Sequence, residues 1–179
     1  PTEAKNKITS IAIHNSEDDV YYAFALDEKK RLTLESKDNV VILRFDDEFS
    51  LLQAFFQKYL QIKPTIITGW NMDSFDMPYL YNRACKVVGS NVADMLSPIQ
   101  EVQWNKHRGR YLFAGVSCLD YLGLYKLFTY TQLSSYRLDA VAEFELGENK
   151  IEYDGTLTDL YENDLNKYIE YNIHDVRLV

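Results

Sequence analysis

Thr65-Ile66-Ile67-Thr68-Gly69-Trp70-Asn71-Met72-Asp73-Ser74-Phe75-Asp76-Met77-Pro78-Tyr79 decides how the chain is read. Thr65 to Thr68 is a short β-rich run closed by Gly69. Pro78 stands where a first helical turn tolerates proline, because the N–H groups of that turn have no helical partner. The stretch is therefore strand, turn and helix start. Upstream, Leu51, Leu52, Phe55, Phe56, Tyr59 and Leu60 recur at helical spacing and predict an amphipathic helix that Pro64 ends. Downstream, the helix opening near Pro78 runs to Val88 and stops at Gly89. Earlier still, residues 8–14, 20–26 and 40–45 predict three strands in a meander, with residues 27–39 as an exposed connection. A meander followed by strand and helix in alternation predicts a mixed α/β sheet with at least one parallel pairing.

Beyond Gly89, residues 99–104 and 111–119 predict a hairpin around Asn105-Lys106-His107-Arg108-Gly109-Arg110. Shorter helices are expected over 121–130 and 138–144, a loop over 150–155, and one final helix over 157–179. No internal repeat or domain boundary stands out, so residues 1–179 read as a single domain with a hairpin insertion near 99–119.

Of 179 residues, 46% are apolar and 26% charged, ordinary values for a soluble globular protein. Lys and Arg number 19 against 27 Asp and Glu, for a net charge of −8. That balance excludes holding nucleic acid by bulk charge alone, but not holding divalent cations. No apolar run approaches the roughly 18 residues of a membrane span, and no basic-then-apolar leader opens the chain. Cys85 and Cys118 lie far apart and form no CxxC, which points to a reducing cytoplasm rather than a disulfide framework or zinc site. His14, His107 and His174 show no ligand spacing. The chain starts at Pro1 and ends at Val179 inside an apolar helical pattern, and so reads as a segment of a longer protein.

Two constellations can carry chemistry. Asp76 follows a strand and opens a helix, at the sheet end where open α/β sheets place ligands. Asp before Pro is equally an ordinary helix N-cap pattern. Tyr171 and Asp175 stand four apart in the final helix and share a face, so a phenol and a carboxylate sit one turn apart. A packed Tyr171 beside a solvated Asp175 is the structural alternative. Taken together they gain weight, because metal-assisted phosphodiester hydrolysis needs carboxylates that converge from separate elements. Oxygen ligands are those that Mg²⁺ and Mn²⁺ take.

Asn71-x-x-x-Phe75-Asp76-x-Pro78-Tyr79 resembles the second exonuclease motif of the family B DNA polymerases, and Tyr171-x-x-x-Asp175 resembles their third. Leu119-Asp120-Tyr121-Leu122-Gly123-Leu124-Tyr125-Lys126 and Tyr153-Asp154-Gly155 look like the replicative polymerases of T-even-type phages. The resemblance covers nearly the whole chain. It implies an RNase H-like, DnaQ-type fold and 3′→5′ proofreading of a primer terminus in DNA replication, with two divalent ions, Mg²⁺ or Mn²⁺, held by four acids. By carry-over, Asp76 and Asp175 are metal-site carboxylates, Tyr171 orients the attacking water, and Asn71 and Phe75 line the pocket of the terminal nucleotide. The implied partners are a single-stranded DNA 3′ end or primer-template and the rest of a polymerase chain. The implied setting is the bacterial cytoplasm of a phage or prophage host.

The family's first motif, Asp-x-Glu on the opening strand, has no counterpart on the strand expected over 8–14. Two carboxylates do not balance the four positive charges of two ions, which repel strongly at about 4 Å even at an effective dielectric of about 20. At most weak binding of one ion and little or no hydrolysis by this chain are expected. A sheet lacking that strand leaves ladder groups unpaired, and a strand from a second copy is one way to fill the slot.

Lys106, Arg108 and Arg110 form a basic tip suited to phosphate contact, although exposed hairpin tips are often charged in any case. Asp120 is read as the cap of the helix that begins near Tyr121. Two further readings compete with the exonuclease: a non-catalytic module that contacts DNA or packs on the polymerase, and an unrelated acidic α/β domain with chance matches.

Overall fold

The computed structural model describes residues 1–148, 151 and 153–179, so the expected loop over 150–155 lies partly outside the described residues, at 150 and 152. They form two compact units, Pro1–Ile8 with Asp47–Tyr125 and Thr9–Asp46 with Lys126–Val179.

In the first unit α1, Glu48–Ile62, starts at Asp47, whose side chain accepts the Ser50 N–H. Its apolar face buries Leu51, Leu52, Phe55, Phe56 and Tyr59, and the Tyr59 hydroxyl donates to the Leu96 carbonyl at 2.8 Å. Each such large side chain withdrawn from water contributes about 2 kcal/mol. Lys63 turns left-handed (φ 51°) and closes the helix. Then follow β4, Ile66–Gly69, α2, Asp76–Val87, α3, Ser90–Ala93, and a 3-10 turn, Asp94–Leu96.

The expected hairpin is real but shorter than its predicted bounds. β5, Val102–Asn105, pairs antiparallel with β6, Arg110–Phe113. The second strand ends at Phe113, because the chain turns at Gly115 (φ +87°). A Cβ at Gly115 would stand 2.6 Å from Pro98 Cγ, so the turn requires glycine. β7, Ser117–Asp120, then leaves the hairpin and pairs parallel with β4, aligning Gly69 with Asp120. α4, Tyr121–Phe128, follows at once.

Residues 1–8 are tied down in this unit. Arg83 grips both carboxylate oxygens of buried Glu48, at 2.8 and 2.7 Å, and donates to the carbonyls of Ala4 and Lys5. The Ile8 N–H donates to Glu48 at 2.7 Å, and the Tyr79 hydroxyl to the Asn6 carbonyl at 2.8 Å.

In the second unit β1, Ser10–Asn15, runs antiparallel to β2, Val20–Leu26, but β3, Val40–Phe45, runs parallel to β2. The three strands are therefore not a meander. Residues 27–39 are a crossover held against the unit, and about a dozen residues suffice for one. The buried Asp27 carboxylate accepts the N–H groups of Arg31 and Leu32 at 2.8 and 2.9 Å. Asn166 Oδ1 accepts those of Thr33 and Leu34 at 2.9 and 3.1 Å.

Three helices complete this unit: α5, Leu138–Leu146, α6, Leu157–Asn163, and α7, Leu165–Arg177. The single final helix expected over 157–179 breaks at Asp164 (φ −143°, ψ 81°), whose carboxylate caps α7 by accepting the Lys167 N–H at 3.0 Å. Leu165, Ile169 and Ile173 on α7 close a core with Ala23, Ala25 and Leu32. Beside it, Ser10 Oγ donates to Asn172 at 3.0 Å, and Thr9 bonds Tyr168 at 2.7 Å. Among the described residues, no helix is long and apolar enough to cross a membrane.

Candidate active site

β4 and β7 end side by side, so the loop that leaves β4 meets the last residue of β7. Asn71 turns the chain left-handed (φ 58°), a conformation that Asn tolerates better than most residues. Its N–H donates to Asp120 Oδ1 and that of Asp73 to Asp120 Oδ2, each at 3.1 Å. The Leu122 N–H donates to Oδ1 at 3.1 Å. Asp120 thus caps the start of α4, as expected, and also holds the loop that the sequence singled out. The carboxylate of Asp73 in turn pairs with Arg110, the first residue of β6 beside the hairpin turn. Met72 is buried, and its carbonyl accepts the Met77 N–H at 3.0 Å, closing the loop onto α2.

Asp76 is the first residue of α2. Phe75 occupies the cap position, and no side chain caps that helix. The reading of Asp76 as an ordinary N-cap is therefore corrected: its carboxylate sits in the first turn, where the helix dipole favours negative charge. Although Asp76 is exposed as a residue, the protein atoms crowding its carboxyl raise its pKa. The neighbouring Asp120 charge adds to the rise, and a hydrogen bond from its own N–H opposes it. Phe75 is 54% exposed and stacks on Tyr79, ring centroids 6.0 Å apart and planes 23° apart. Asn71 is exposed in the same loop. Trp70 packs on Tyr121 and Tyr125 at 6.1 and 5.8 Å.

The three cations of the hairpin do not share one environment. Lys106 and Arg108 are exposed at its tip, where Asn105 Oδ1 accepts the N–H groups of His107 and Arg108 at 3.0 Å. Arg110 is only 23% exposed at its side chain and is engaged by Asp73. The sequence carried no signal for this pair, since its members stand 37 positions apart.

Tyr171 and Asp175 belong to the second unit and lie one turn apart on α7, as their spacing requires. Tyr171 is buried, edge-on to Tyr153 with centroids 5.4 Å apart. Asp175 is partly exposed.

Among the described residues, no three His, Cys, Asp or Glu side chains stand together so as to hold a metal ion. The sole Asp-x-Glu of the sequence is Asp46-Asp47-Glu48. Its Asp47 caps α1, and its Glu48 is consumed by Arg83 and the Ile8 N–H.

Residues 1–141 match the exonuclease domain of DNA polymerase family B. The DNA-directed DNA polymerase of Escherichia phage RB69 is 36% identical over 203 aligned positions, covering 98% of this chain and 22% of that protein. The DNA-directed DNA polymerase of Enterobacteria phage T4 is 34% identical over 206, covering 100% and 23%. DNA polymerase 1 of Saccharolobus solfataricus is 35% identical over 156, covering 79% and 15%. The chain thus spans less than a quarter of the length of the phage polymerases it matches. Its mixed α/β architecture is the RNase H-like one of that exonuclease family. Since the match takes in most of the chain, including the whole loop that Asp120 holds, the protein belongs to the exonuclease-domain family of the family B DNA polymerases.

Proposed function

We propose that this chain is part of a 3′→5′ proofreading exonuclease, acting on the single-stranded 3′ end of a primer during DNA replication within a larger polymerase chain. The observation that carries the reading is the loop 70–76. It is matched within the family, held by Asp120, and presents Asp76 beside an exposed Phe75 that stacks on Tyr79. Asn71 and Phe75 receive the terminal nucleotide, Phe75 offering a face on which any base can stack. Tyr171 holds the attacking water, and Asp76 and Asp175 supply negative charge beside the scissile phosphate. Lys106 and Arg108 position phosphates of the strand.

Exonuclease domains of this family use divalent cations, for which Mg²⁺ and Mn²⁺ are the oxygen-seeking candidates. The described residues do not fit a two-ion site: among them no three ligating side chains stand together, and Glu48 of the sole Asp-x-Glu is held by Arg83. Weak binding of one ion and little or no hydrolysis are therefore expected of this chain alone. That misfit favours a second reading for the chain by itself, a module that contacts DNA without cutting it. Among the described residues, β1 is an edge of its sheet, and β4 pairs with β7 alone. A strand from a second copy is a candidate occupant of either edge. Sedimentation equilibrium tests this, and a monomer at all concentrations rules it out.

The deciding experiment is degradation of 3′-labelled single-stranded DNA with Mg²⁺ or Mn²⁺. This chain is run beside the longest natural chain that contains it, with and without Asp76→Ala. Degradation by the unmutated longer chain alone is the expected result. Undiminished degradation by its Asp76→Ala variant overturns the reading.

A further inference from the structure

We infer that Asp120 is a positioning residue of the exonuclease reaction: its carboxylate sets the course of loop 70–76 and, through Asp73 and Arg110, ties that loop to the turn end of the β5–β6 hairpin. The inference rests on the exonuclease reading and adds Asp120 and Arg110 to the residues that serve that site as positioning groups.

Asp120 closes the parallel ladder opposite Gly69, so it stands where β4 gives way to the loop. Its two oxygens collect three backbone N–H groups, those of Asn71, Asp73 and Leu122, each at 3.1 Å. A charged acceptor makes such bonds stronger than a neutral one does. Asn71 and Asp73 gripped by one carboxylate leave the intervening residue little choice: Met72 turns inward and is buried against Gly69. Asp73, fixed in this way, directs its own carboxylate onto Arg110, the first residue of β6. Asp76 follows three residues later, its helix joined to the loop by the bond from the Met77 N–H to the Met72 carbonyl. Both oxygens of Asp120 already accept backbone donors from the loop and from α4, so it acts through the loop rather than on the DNA.

Asp120→Asn is the test, in the longest natural chain that contains these residues. An amide offers an acceptor on one side only, so either Asp73 or the Asn71–Leu122 pair loses its bond. Misplacing a reacting group by a fraction of an ångström slows the step it serves, whereas a site that only binds is little changed. The expected result is a fall in kcat of roughly tenfold to a hundredfold on single-stranded DNA, with KM within about twofold. Arg110→Ala produces a smaller fall in the same direction, and Arg110→Lys, which keeps the charge, restores most of it.

Amide hydrogen exchange supplies a readout free of activity. In Asp120→Asn the amide that faces the new NH2 group, that of Asn71 or that of Asp73, exchanges faster, while those of Ala23 and Phe24 in β2 do not change. An unaltered kcat in Asp120→Asn, where Asp76→Ala abolishes degradation, overturns the inference and leaves the exonuclease reading intact. Equal acceleration of the β2 amides also overturns it, since the effect is then one of global stability. If Asp76→Ala leaves degradation unchanged, the exonuclease reading fails, and with it the role in catalysis.

Discussion

Asp76 carries its charge where the protein makes that unfavourable: crowding of its carboxyl and, second to it, the charge of Asp120 raise its pKa. The sign of the effect on stability follows. A carboxylate whose pKa is raised by folding favours the folded state below its unfolded pKa, and this advantage disappears as pH rises through the folded pKa. Asp76→Asn is therefore expected to raise the melting temperature at pH 7 in a chelating buffer. The gain shrinks toward zero as pH falls below about 4, where unfolded Asp is itself protonated. Melting curves at pH 3, 5 and 7 check this, and an equal gain at all three values contradicts it. Asp47 shows the opposite case. Hydrogen bonds from Ser50 hold its pKa down, so its contribution is present at neutral pH and is lost in acid. Of these features the sequence showed that Asp76 opens a helix. It did not show that Phe75 takes the cap position, because φ and ψ at a helix start depend on how the preceding loop is held.

Helices and strands were legible to the extent that their periodicity was. α1 and α2 came from apolar spacing and from Pro64, Pro78 and Gly89, all local signals. The break between α6 and α7 was not legible, because the apolar stripe continues across it. Its cause lies in caps. Thr156 and Asp159 form a reciprocal capping box at the start of α6, and Asp164 caps α7. Thr156→Ala is expected to cost about 1 kcal/mol of stability, measured by denaturant unfolding. Asp154→Ala, at an exposed position just before the box, serves as the control and is expected to change little. The parallel course of β3 was likewise hidden. Strand direction there depends on Asp27 and Asn166 gripping the crossover from positions 27 and 166, and pairing between such distant residues leaves no local pattern.

For the molecule as a body, charge sets the terms of the proposed contact with DNA. At −8 the chain repels a polyanion in general, so any affinity has to come from local cations. Arg110 is compensated by Asp73, which leaves Lys106 and Arg108 as the exposed pair of the hairpin. Replacing both with Ala is expected to weaken single-stranded DNA binding and to lower the slope of log K against log salt by about 1.4, two phosphate contacts at about 0.7 each. Adding Arg110→Ala is expected to change that slope little further. Fluorescence anisotropy over a salt series reads this out, and an unchanged slope in the double variant removes the hairpin tip from the DNA interface.

Family and fold class were present in the order of residues, because a helix-opening Asn71-x-x-x-Phe75-Asp76-x-Pro78-Tyr79 and the apolar periods around it are written within a few turns of chain. The tertiary structure alone decided which charges remain available. It assigned Glu48 to Arg83, Asp73 to Arg110 and Asp120 to three backbone N–H groups. A carboxylate's partner is whatever folding brings within about 3 Å of it, and that distance bears no relation to separation along the sequence.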